Sequence, residues 1–342
     1  MQLFVSIIIP VYNEEKYIIE CIESVLEQDF SHEQMEVFFV DGRSVDKTCE
    51  IIKSYAKKYS FIKLLDNPYK VVPHALNTGI KQSKGDVIMR LDAHSAYHKN
   101  YVSRLVKQLY ELNADNVGGV WRILPANHSI EAQAVAIASS HPFGVGNVAY
   151  RIGANNITKV DTVPFGCYRR EVFDKIGLFD EELIRNQDNE FNSRLKNAGG
   201  KIYLIPDVVI DYFARDSIKK ICKMYYQYAL FTPLVQKKLR KHDSWRRMIP
   251  SLFLVGLLFG GIFCFISTVP SIVKIVYFVL FILYCLTCIF IGVQQSIKYK
   301  HSGLLYYLPI TFGAIHISYG YGYLVGLYKI ITKSRFQAFI SR

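Results

Sequence analysis

Acidic residues are scarce in this sequence: 29 Asp and Glu stand against 41 Lys and Arg, which leaves a formal net charge of +12. Such a balance suits nucleic acid, acidic substrates or an anionic membrane surface. Zinc-finger spacing, RNP-like motifs and basic heptad helices are all missing, which argues against nucleic acid. Residues 215–247 hold ten Lys or Arg and two acids directly before an apolar stretch. A membrane is therefore the favoured partner.

A disulfide framework is also missing. The seven cysteines are odd in number and scattered along the chain, which indicates reduced thiols and a catalytic domain in the cytoplasm. The N-terminus lacks a charged leader, and residues 2–11 have the pattern of a strand. We therefore expect no secretory signal peptide.

Long apolar runs do not occur before residue 210, but residues 249–331 are largely apolar. The segments 249–269 and 275–293 contain no charged residue, and each is long enough to cross a membrane as a helix. A third segment, 304–331, contains several glycines, tyrosines and a lysine, so we expect it to be re-entrant, interfacial or packed on the other two. Gly322 and Gly326 have the small-xxx-small spacing of closely packed membrane helices.

These contrasts predict three regions: a catalytic domain over 1–215, a basic juxtamembrane segment over 216–248 and a membrane anchor of two to three helices over 249–342. With the catalytic domain inside, two spans return the chain to the cytoplasm and satisfy the positive-inside rule. The expected location is the inner (cytoplasmic) membrane, as a multi-pass protein.

Apolar runs and amphipathic segments alternate through the first hundred residues. This alternation predicts a doubly wound, mostly parallel α/β sheet. The predicted strands cover 5–11, 36–40, 62–65 and 86–91, and the predicted helices cover 14–27, 46–59 and 74–82. Residues 141–160 are rich in Gly and Asn and are expected to form a long functional loop.

Polar side chains stand at the ends of three predicted strands. Asp41 and Asp92 each end an apolar run, and Asn13 follows the first strand. Ligands of open α/β sheets bind beyond the carboxyl ends of the strands. A single acid in this position often caps a helix, but two such acids beside an asparagine favour a shared binding site.

Five blocks in order resemble the family 2 glycosyltransferases of GT-A fold. Together they cover residues 3–215, and the order makes the resemblance far more specific than any single block. The blocks are VSIIIPVYNE from Val5, VDGRSVDKT from Val40, NTG from Asn77 with KGDVI and LDAH from Lys84 and Leu91, PFGCYRREVF from Pro164 and QDNEFNSR from Gln187.

The resemblance implies a site for a nucleotide-sugar donor. The implied donor-binding residues are Pro10, Tyr12, Glu14, Asp41, Asn77 and Asp92. It also implies a divalent cation, Mn²⁺ or Mg²⁺, because a diphosphate leaving group carries charge that a cation neutralises. Asp92 and His94 are the candidate metal residues. The family usually has an acid where His94 stands, and imidazole suits Mn²⁺ better than Mg²⁺.

Asp188 occupies the position of the family's catalytic acid group. Inversion by direct displacement needs one carboxylate as general base at the acceptor hydroxyl, and the resemblance assigns this role to Asp188. Without the other blocks, Asp188 and Glu190 would be read as ordinary acids in the first turn of a helix.

The loop from Gly144 to Arg151 resembles the branch that builds bacterial exopolysaccharide, including succinoglycan-type glucosyltransferases. That branch implies transfer of a hexose from a UDP-sugar to a polyprenyl-diphosphate-linked glycan. The alternatives are a polyprenyl-phosphate glycosyltransferase, a processive polysaccharide synthase and a non-catalytic sugar-nucleotide-binding membrane protein. A QxxRW-like run is missing after residue 210, which disfavours the synthase, whereas the altered His94 favours the non-catalytic alternative.

Overall fold

The structure, a computed structural model, describes residues 3–239 and 245–337. Parts of the predicted juxtamembrane and anchor regions, 240–244 and 338–342, lie outside the described residues. Nine strands form within the described ranges. They are β1 Val5–Val11, β2 Met35–Asp41, β3 Ile62–Asp66, β4 Val87–Arg90, β5 Ser95–Tyr97, β6 Asn116–Leu124, β7 Thr158–Lys159, β8 Cys167–Arg169 and β9 Ile202–Phe213.

Helices follow the early strands, as the alternation predicts, and dominate the second half of the chain. They are α1 Ile18–Leu26, α2 Thr48–Ala56, α3 Val72–Gln82, α4 Tyr101–Glu111, α5 Ile130–Ser140, α6 Pro142–Val145, α7 Ala149–Ile152, α8 Glu171–Ile176, α9 Gln187–Asn197, α10 Ile218–Leu239, α11 Ile249–Phe263, α12 Ser271–Tyr299 and α13 Leu304–Ile331. The predicted loop 141–160 therefore contains two short helices and a two-residue strand.

The sheet is mixed, with the order β3-β2-β1-β4-β8-β6-β9-β5 and β7 paired to β9. Its first four strands are parallel, and Val11 lies opposite Asp41 in the register of β1 and β2. Strand β8 then pairs antiparallel with β4 and β6, and β5 and β7 pair antiparallel with β9. The prediction of a mostly parallel sheet is therefore wrong beyond β4. Strands β5 and β8 have three residues each, too few to show a period.

The parallel strands form because their β-branched and aromatic residues are buried on both faces. Every residue of β2 is buried, and β1 has one partly exposed residue, Pro10. The carboxyl ends of β1, β2 and β4 thus lie side by side on a rigid core. This edge carries the residues that the sequence singled out.

The described chain divides into two compact units. The first holds residues 3–122 and 147–213, and the second holds 123–146 with the segments that follow Ala214. The predicted catalytic domain 1–215 ends close to this division, but α5 lies in the second unit. Helix α5 is rich in alanine and mostly buried, and it packs among α10 and α13 in one apolar cluster.

Among the described helices, α12 is the one that is both long and apolar enough to cross a membrane, with 29 residues and a mean hydropathy of 2.6 over its most apolar 18 residues. Helix α11 matches the first predicted span but has 15 residues, or about 22 Å at 1.5 Å per residue against about 30 Å of hydrocarbon. An anchor of two to three spanning helices is thus not established, and a single candidate span is supported.

Helix α13, the third apolar segment, packs against α10, α11 and α12 within the second unit. A Cβ atom at Gly322 would lie 2.3 Å from the Tyr226 carbonyl oxygen, and one at Gly326 would lie 2.4 Å from that of Leu230. The close helix packing predicted for these two glycines is therefore confirmed.

Candidate functional site

The loops after β1 and β2 are joined by two hydrogen bonds. The backbone N–H of Asn13 donates to Ser44 Oγ at 2.8 Å, and that of Val45 donates to Asn13 Oδ1 at 2.9 Å. Asn13 has a φ of +55°, a left-handed conformation that asparagine adopts more readily than most residues. Its side chain can therefore hold both loops in one arrangement.

Asp41 ends β2 beneath these loops and is 5% exposed. Its carboxylate accepts hydrogen bonds from the backbone N–H and the hydroxyl of Ser44, at 3.0 and 2.6 Å. Burial, together with the hydrogen bond to Asp41, raises the pKa of the Cys49 thiol to about 12. The orientation of Asp41 is thus set from two sides.

Tyr12 and Gly42 extend this edge toward the loop after β3. A Cβ atom at Gly42 would lie 3.3 Å from both Lys70 Cα and Tyr12 Cδ2, so glycine allows these groups to approach one another. Pro10, the partly exposed residue of β1, lies opposite Val40 in the register. Pro10, Tyr12 and Asp41 therefore share one part of the strand-end edge, and their donor-binding role stays a prediction.

Glu14, whose donor-binding role stays a prediction, contacts the candidate metal residue His94. Its Oε1 lies 3.3 Å from His94 Nδ1, and His94 Nε2 lies 3.9 Å from Asp92 Oδ2. Glu14 is 7% exposed, and its backbone N–H donates to Thr48 Oγ1 at 2.8 Å. The loops after β1 and β4 are therefore connected through His94.

Asp92 and His94 suit a divalent cation in three respects. Two ligands of one cation, each about 2.1 Å from it, span up to about 4 Å, and the two side-chain atoms are 3.9 Å apart. A carboxylate on Nδ1 of a histidine commonly leaves Nε2 for a metal, and Glu14 holds this position. Asp92 adds the anionic oxygen that such ions prefer. No group of three His, Cys, Asp or Glu fit to hold a metal occurs in residues 3–239 and 245–337.

Arg90, a residue that the sequence analysis missed, lies at the centre of the site. It is the last residue of β4 and is 7% exposed. One terminal nitrogen of its guanidinium bonds Asp92 Oδ1 at 3.0 Å, and the other bonds Asp188 Oδ2. Burial alone would lower the pKa of Arg90, but the charges of Asp188 and Asp92 raise it well above its ordinary value. Arg90 is therefore a permanent cation that joins two of the predicted site residues.

Asp188 reaches this cation from the first turn of α9, whose preceding residue, Asn186, has a φ of +63°. A carboxylate is stabilised at a helix N-terminus by the backbone dipoles. Its Oδ2 is bound to Arg90, whereas Oδ1 is buried and has no hydrogen-bond partner within the described residues. One carboxylate oxygen is thus fixed, and the other keeps its hydrogen-bonding capacity unused within the described residues.

Asn77 lies elsewhere, on the buried side of α3. Its side-chain amide exchanges two hydrogen bonds with the backbone of Phe179, at 2.9 and 3.0 Å, and donates to Glu181 at 2.9 Å. These bonds fix the loop that leads to α9. The contacts describe a support for the Asp188 segment, and a direct contact of Asn77 with the donor stays a prediction.

Strand-end carboxylates, the buried guanidinium of Arg90 and the carboxylate of Asp188 thus lie together beside the carboxyl ends of the parallel strands. The chain belongs to glycosyl transferase family 2, whose model matches residues 6–177. It is therefore a glycosyltransferase.

Two curated relatives cover most of the chain. A dolichyl N-acetyl-α-D-glucosaminyl phosphate 3-β-D-2,3-diacetamido-2,3-dideoxy-β-D-glucuronosyltransferase of Methanococcus voltae is 30% identical over 335 residues, which is 95% of this chain and 98% of the relative. Succinoglycan biosynthesis protein ExoA of Rhizobium meliloti is 28% identical over 266 residues, 76% of this chain and 78% of the relative.

Solved structures share the fold. The mannosyltransferase PcManGT of Pyrobaculum calidifontis, in complex with GDP-Man and Mn²⁺, is similar with a TM-score of 0.59 at 17% identity, over 93% of this chain and 88% of that one. S. aureus TarS 1–349 with UDP-GlcNAc has a TM-score of 0.52 at 17% identity, over 98% and 93%. The fold is thus GT-A-like.

Proposed function

We propose that this glycosyltransferase moves a hexose from a UDP-sugar to a hydroxyl of a glycan linked to a polyprenyl diphosphate, with inversion at the anomeric carbon. The observation that carries the proposal is the state of Asp188, whose Oδ2 is held by Arg90 while its buried Oδ1 has no partner within residues 3–239 and 245–337. An inverting transfer needs one such oriented carboxylate.

The donor binds along the edge formed by Pro10, Tyr12, Asp41 and Asp92. Asp41 contacts the base or ribose, and the diphosphate lies toward Asp92, beside the cation of Arg90. A positive charge fixed at this point stabilises the negative charge that develops on the departing diphosphate. Asp92 and His94 would hold a divalent cation, Mn²⁺ or Mg²⁺, and such an ion would supply positive charge to the diphosphate.

Asp188 acts as the general base. As the acceptor oxygen bonds to the anomeric carbon, its proton passes to Asp188 Oδ1 and the bond from that carbon to the diphosphate breaks, which releases UDP. Arg90 keeps Asp188 oriented throughout, because its guanidinium is buried and bonded to both carboxylates. Orientation of this kind accounts for a large part of the rate of bimolecular transfers.

The acceptor side is supported by the relatives and by the apolar helices. The name of the Methanococcus relative specifies a sugar attached to dolichyl phosphate, and the Rhizobium relative serves succinoglycan biosynthesis. Helix α12 has the length and composition of a membrane span, and Lys219, Lys220 and Lys223 on α10 are exposed. A site at the cytoplasmic face of the inner membrane would have access to an acceptor whose polyprenyl chain lies in that membrane.

A donor and acceptor panel tests the proposal. The full chain in detergent receives Mn²⁺, a set of UDP- and GDP-sugars and two short-chain acceptors, a polyprenyl-diphosphate-linked hexose and polyprenyl-phosphate-linked N-acetylglucosamine. Asp188→Asn should reduce transfer at least about 100-fold and leave UDP binding unchanged. Asp174→Asn, an exposed acid on α8, is the matched control. Wild-type transfer by Asp188→Asn, or no transfer by the wild type from any donor, contradicts the proposal.

A second candidate differs in the sugar that is moved. The name of the Methanococcus relative specifies a uronosyl group, which favours a UDP-hexuronate as donor. UDP-glucuronate and its diacetamido derivative in the same panel separate the two candidates, since the preferred donor should have the higher kcat/KM.

A further inference from the structure

The rings of Trp121 and Tyr212 form a stack beside the predicted catalytic residues. The indole of Trp121 on β6 lies parallel to the ring of Tyr212 on β9, with a centroid distance of 4.1 Å and an interplanar angle of 2°. The Tyr212 ring is 6.2 Å from His94, and Phe165 lies between Trp121, at 5.7 Å, and the Arg90 guanidinium, also at 5.7 Å. The stack thus adjoins the cluster that holds Asp188.

Two buried polar atoms, one in the stack and one on the neighbouring strand, have no hydrogen-bond partner within the described residues. They are Trp121 Nε1 and Ser95 Oγ, and Ser95 lies directly opposite Tyr212 in the register of β5 and β9. Residues opposite each other on neighbouring strands point to the same face of the sheet. Native proteins pair most buried polar atoms, so these two unpaired atoms, like the unpaired Asp188 Oδ1, require an explanation.

A short segment with glycine at both ends covers the stack. Residues 147–152 lie between Gly146, with a φ of +69°, and Gly153, with a φ of +92°. From this segment, Tyr150 packs edge-on against Trp121 at 5.0 Å, and the Arg151 guanidinium lies 4.8 Å from the indole. Because Tyr212 occupies one face of the indole, Arg151 occupies the other. Rotation at the two glycines would uncover that face.

We propose that Trp121 and Ser95 form the subsite for the acceptor's hexopyranose ring, which the segment 147–152 covers until the acceptor binds. The apolar face of the sugar stacks on the indole in place of Arg151. The Trp121 N–H donates to a sugar oxygen, Ser95 Oγ bonds a second one, and the reacting hydroxyl donates to Asp188 Oδ1. This inference rests on the proposed function, since it names where the acceptor of that reaction lies.

The order of the sheet assigns this subsite to the acceptor and not to the donor. Of the predicted donor residues, Tyr12, Glu14 and Asp41 lie at the ends of β1 and β2, on one side of β4, whereas β6, β9 and β5 lie on the other side. Arg90 and Asp92, at the end of β4, stand between the two. A sugar stacked on Trp121 therefore approaches the reacting centre from the side opposite the nucleotide, as a direct displacement requires.

Two conservative variants test the subsite. Trp121→Phe keeps an aromatic ring and removes the N–H, and Ser95→Ala removes only the hydroxyl. Each should raise the acceptor KM about 5- to 10-fold, the loss of one hydrogen bond, with the donor KM and the slow hydrolysis of donor without acceptor unchanged. The thermal midpoint should stay equal or rise, because the deleted atom has no hydrogen-bond partner among the residues that the structure describes.

Trp121→Leu, which removes the stacking face, should raise the acceptor KM further. Tyr110→Leu is its control, because Tyr110 packs on Arg169 at 4.5 Å in a similar cation–ring pair elsewhere. The probe is polyprenyl-phosphate-linked N-acetylglucosamine or the diphosphate-linked hexose, whichever the wild type uses. If Trp121→Leu does not fold, the two conservative variants decide.

The proposed subsite is overturned if both conservative variants keep the acceptor KM of the wild type, or if their thermal midpoint falls with no change in acceptor KM. Either result leaves the proposed function intact. Failure of the wild type to transfer from any donor overturns the proposed function, and the subsite with it.

Discussion

Removal of the Arg90 guanidinium should separate the two carboxylates that it joins. Deleting one partner of a buried ion pair destabilises a protein by about 3–5 kcal/mol. The Arg90 side chain is 9% exposed, but those of Asp92 and Asp188 are 18% and 31% exposed. Because solvent screens both carboxylates in part, we expect Arg90→Met to lower the free energy of unfolding by about 3 kcal/mol, at the lower end of that range.

The effect on catalysis should be larger than the loss of stability suggests. Asp188 would lose the hydrogen bond from Arg90 to its Oδ2, which orients the carboxylate. Misplacement of a reacting group by about 1 Å can lower the rate about 100-fold. Arg90→Lys keeps the charge but lacks the planar fork that bonds two carboxylates, so its loss in kcat should be intermediate, about 10-fold. Donor KM should change less than kcat in both variants.

The assay is transfer kinetics together with thermal unfolding in the same detergent. Guanidinium added to Arg90→Met should restore part of kcat, which a merely structural role would not produce. Arg104→Met is the control, because its pair with Asp207 is exposed at 33% and 50% and should contribute less than about 1 kcal/mol. If Arg90→Met keeps more than about a third of wild-type kcat at a temperature where it is folded, the bonds from Arg90 to Asp92 and Asp188 are irrelevant to the reaction.

Two further predictions concern the cation and pH. His94→Ala should weaken Mn²⁺ binding in the presence of UDP about 10- to 100-fold, measured by calorimetry, and equal binding by variant and wild type would remove His94 from the metal site. Burial raises the pKa of Glu36, but hydrogen bonds from the Lys84 backbone N–H, Ser6 and Lys63 outweigh it and lower the pKa below its ordinary value of 4.5. The contribution of ionised Glu36 to the free energy of unfolding is therefore complete above pH 4.5. It is lost as the pH falls through the lower pKa that Glu36 has in the folded protein. Glu36→Gln should cost about 2 kcal/mol at neutral pH, and a thermal-midpoint difference that does not narrow in acid would refute this reasoning.

The parallel half of the sheet could be predicted because its strands carry their own signal. Runs such as Val5–Val11 are apolar throughout and end at polar residues, so the sequence indicates both the strand and the edge that binds ligands. The antiparallel half has no such signal. Strand β9 has 12 residues in which buried and exposed positions are mixed, and β8 has three. Their places depend on pairing with distant segments.

The site shows the same division. The sequence predicts Asp41, Asp92 and Asp188 as strand-end or block residues, but Arg90 lies inside the predicted strand 86–91 and receives no role. Its role depends on Asp188, 98 positions away, and spacing along the chain carries no information about that contact. The one available signal was the charge itself, because an arginine in a run of buried residues needs a partner.

The contact between Glu14 and His94 explains the departure from the family's usual acid at position 94. Glu14 is 7% exposed and its Oε1 lies 3.3 Å from the imidazole, with Asp92 on the other side at 3.9 Å. A carboxylate at this position would place three poorly solvated negative charges together, and like charges so close disfavour ionisation. Histidine instead accommodates both neighbours, since Nδ1–H can donate to Glu14 while Nε2 faces Asp92. His94 is thus compatible with both neighbouring carboxylates, and the altered motif does not by itself indicate an inactive protein.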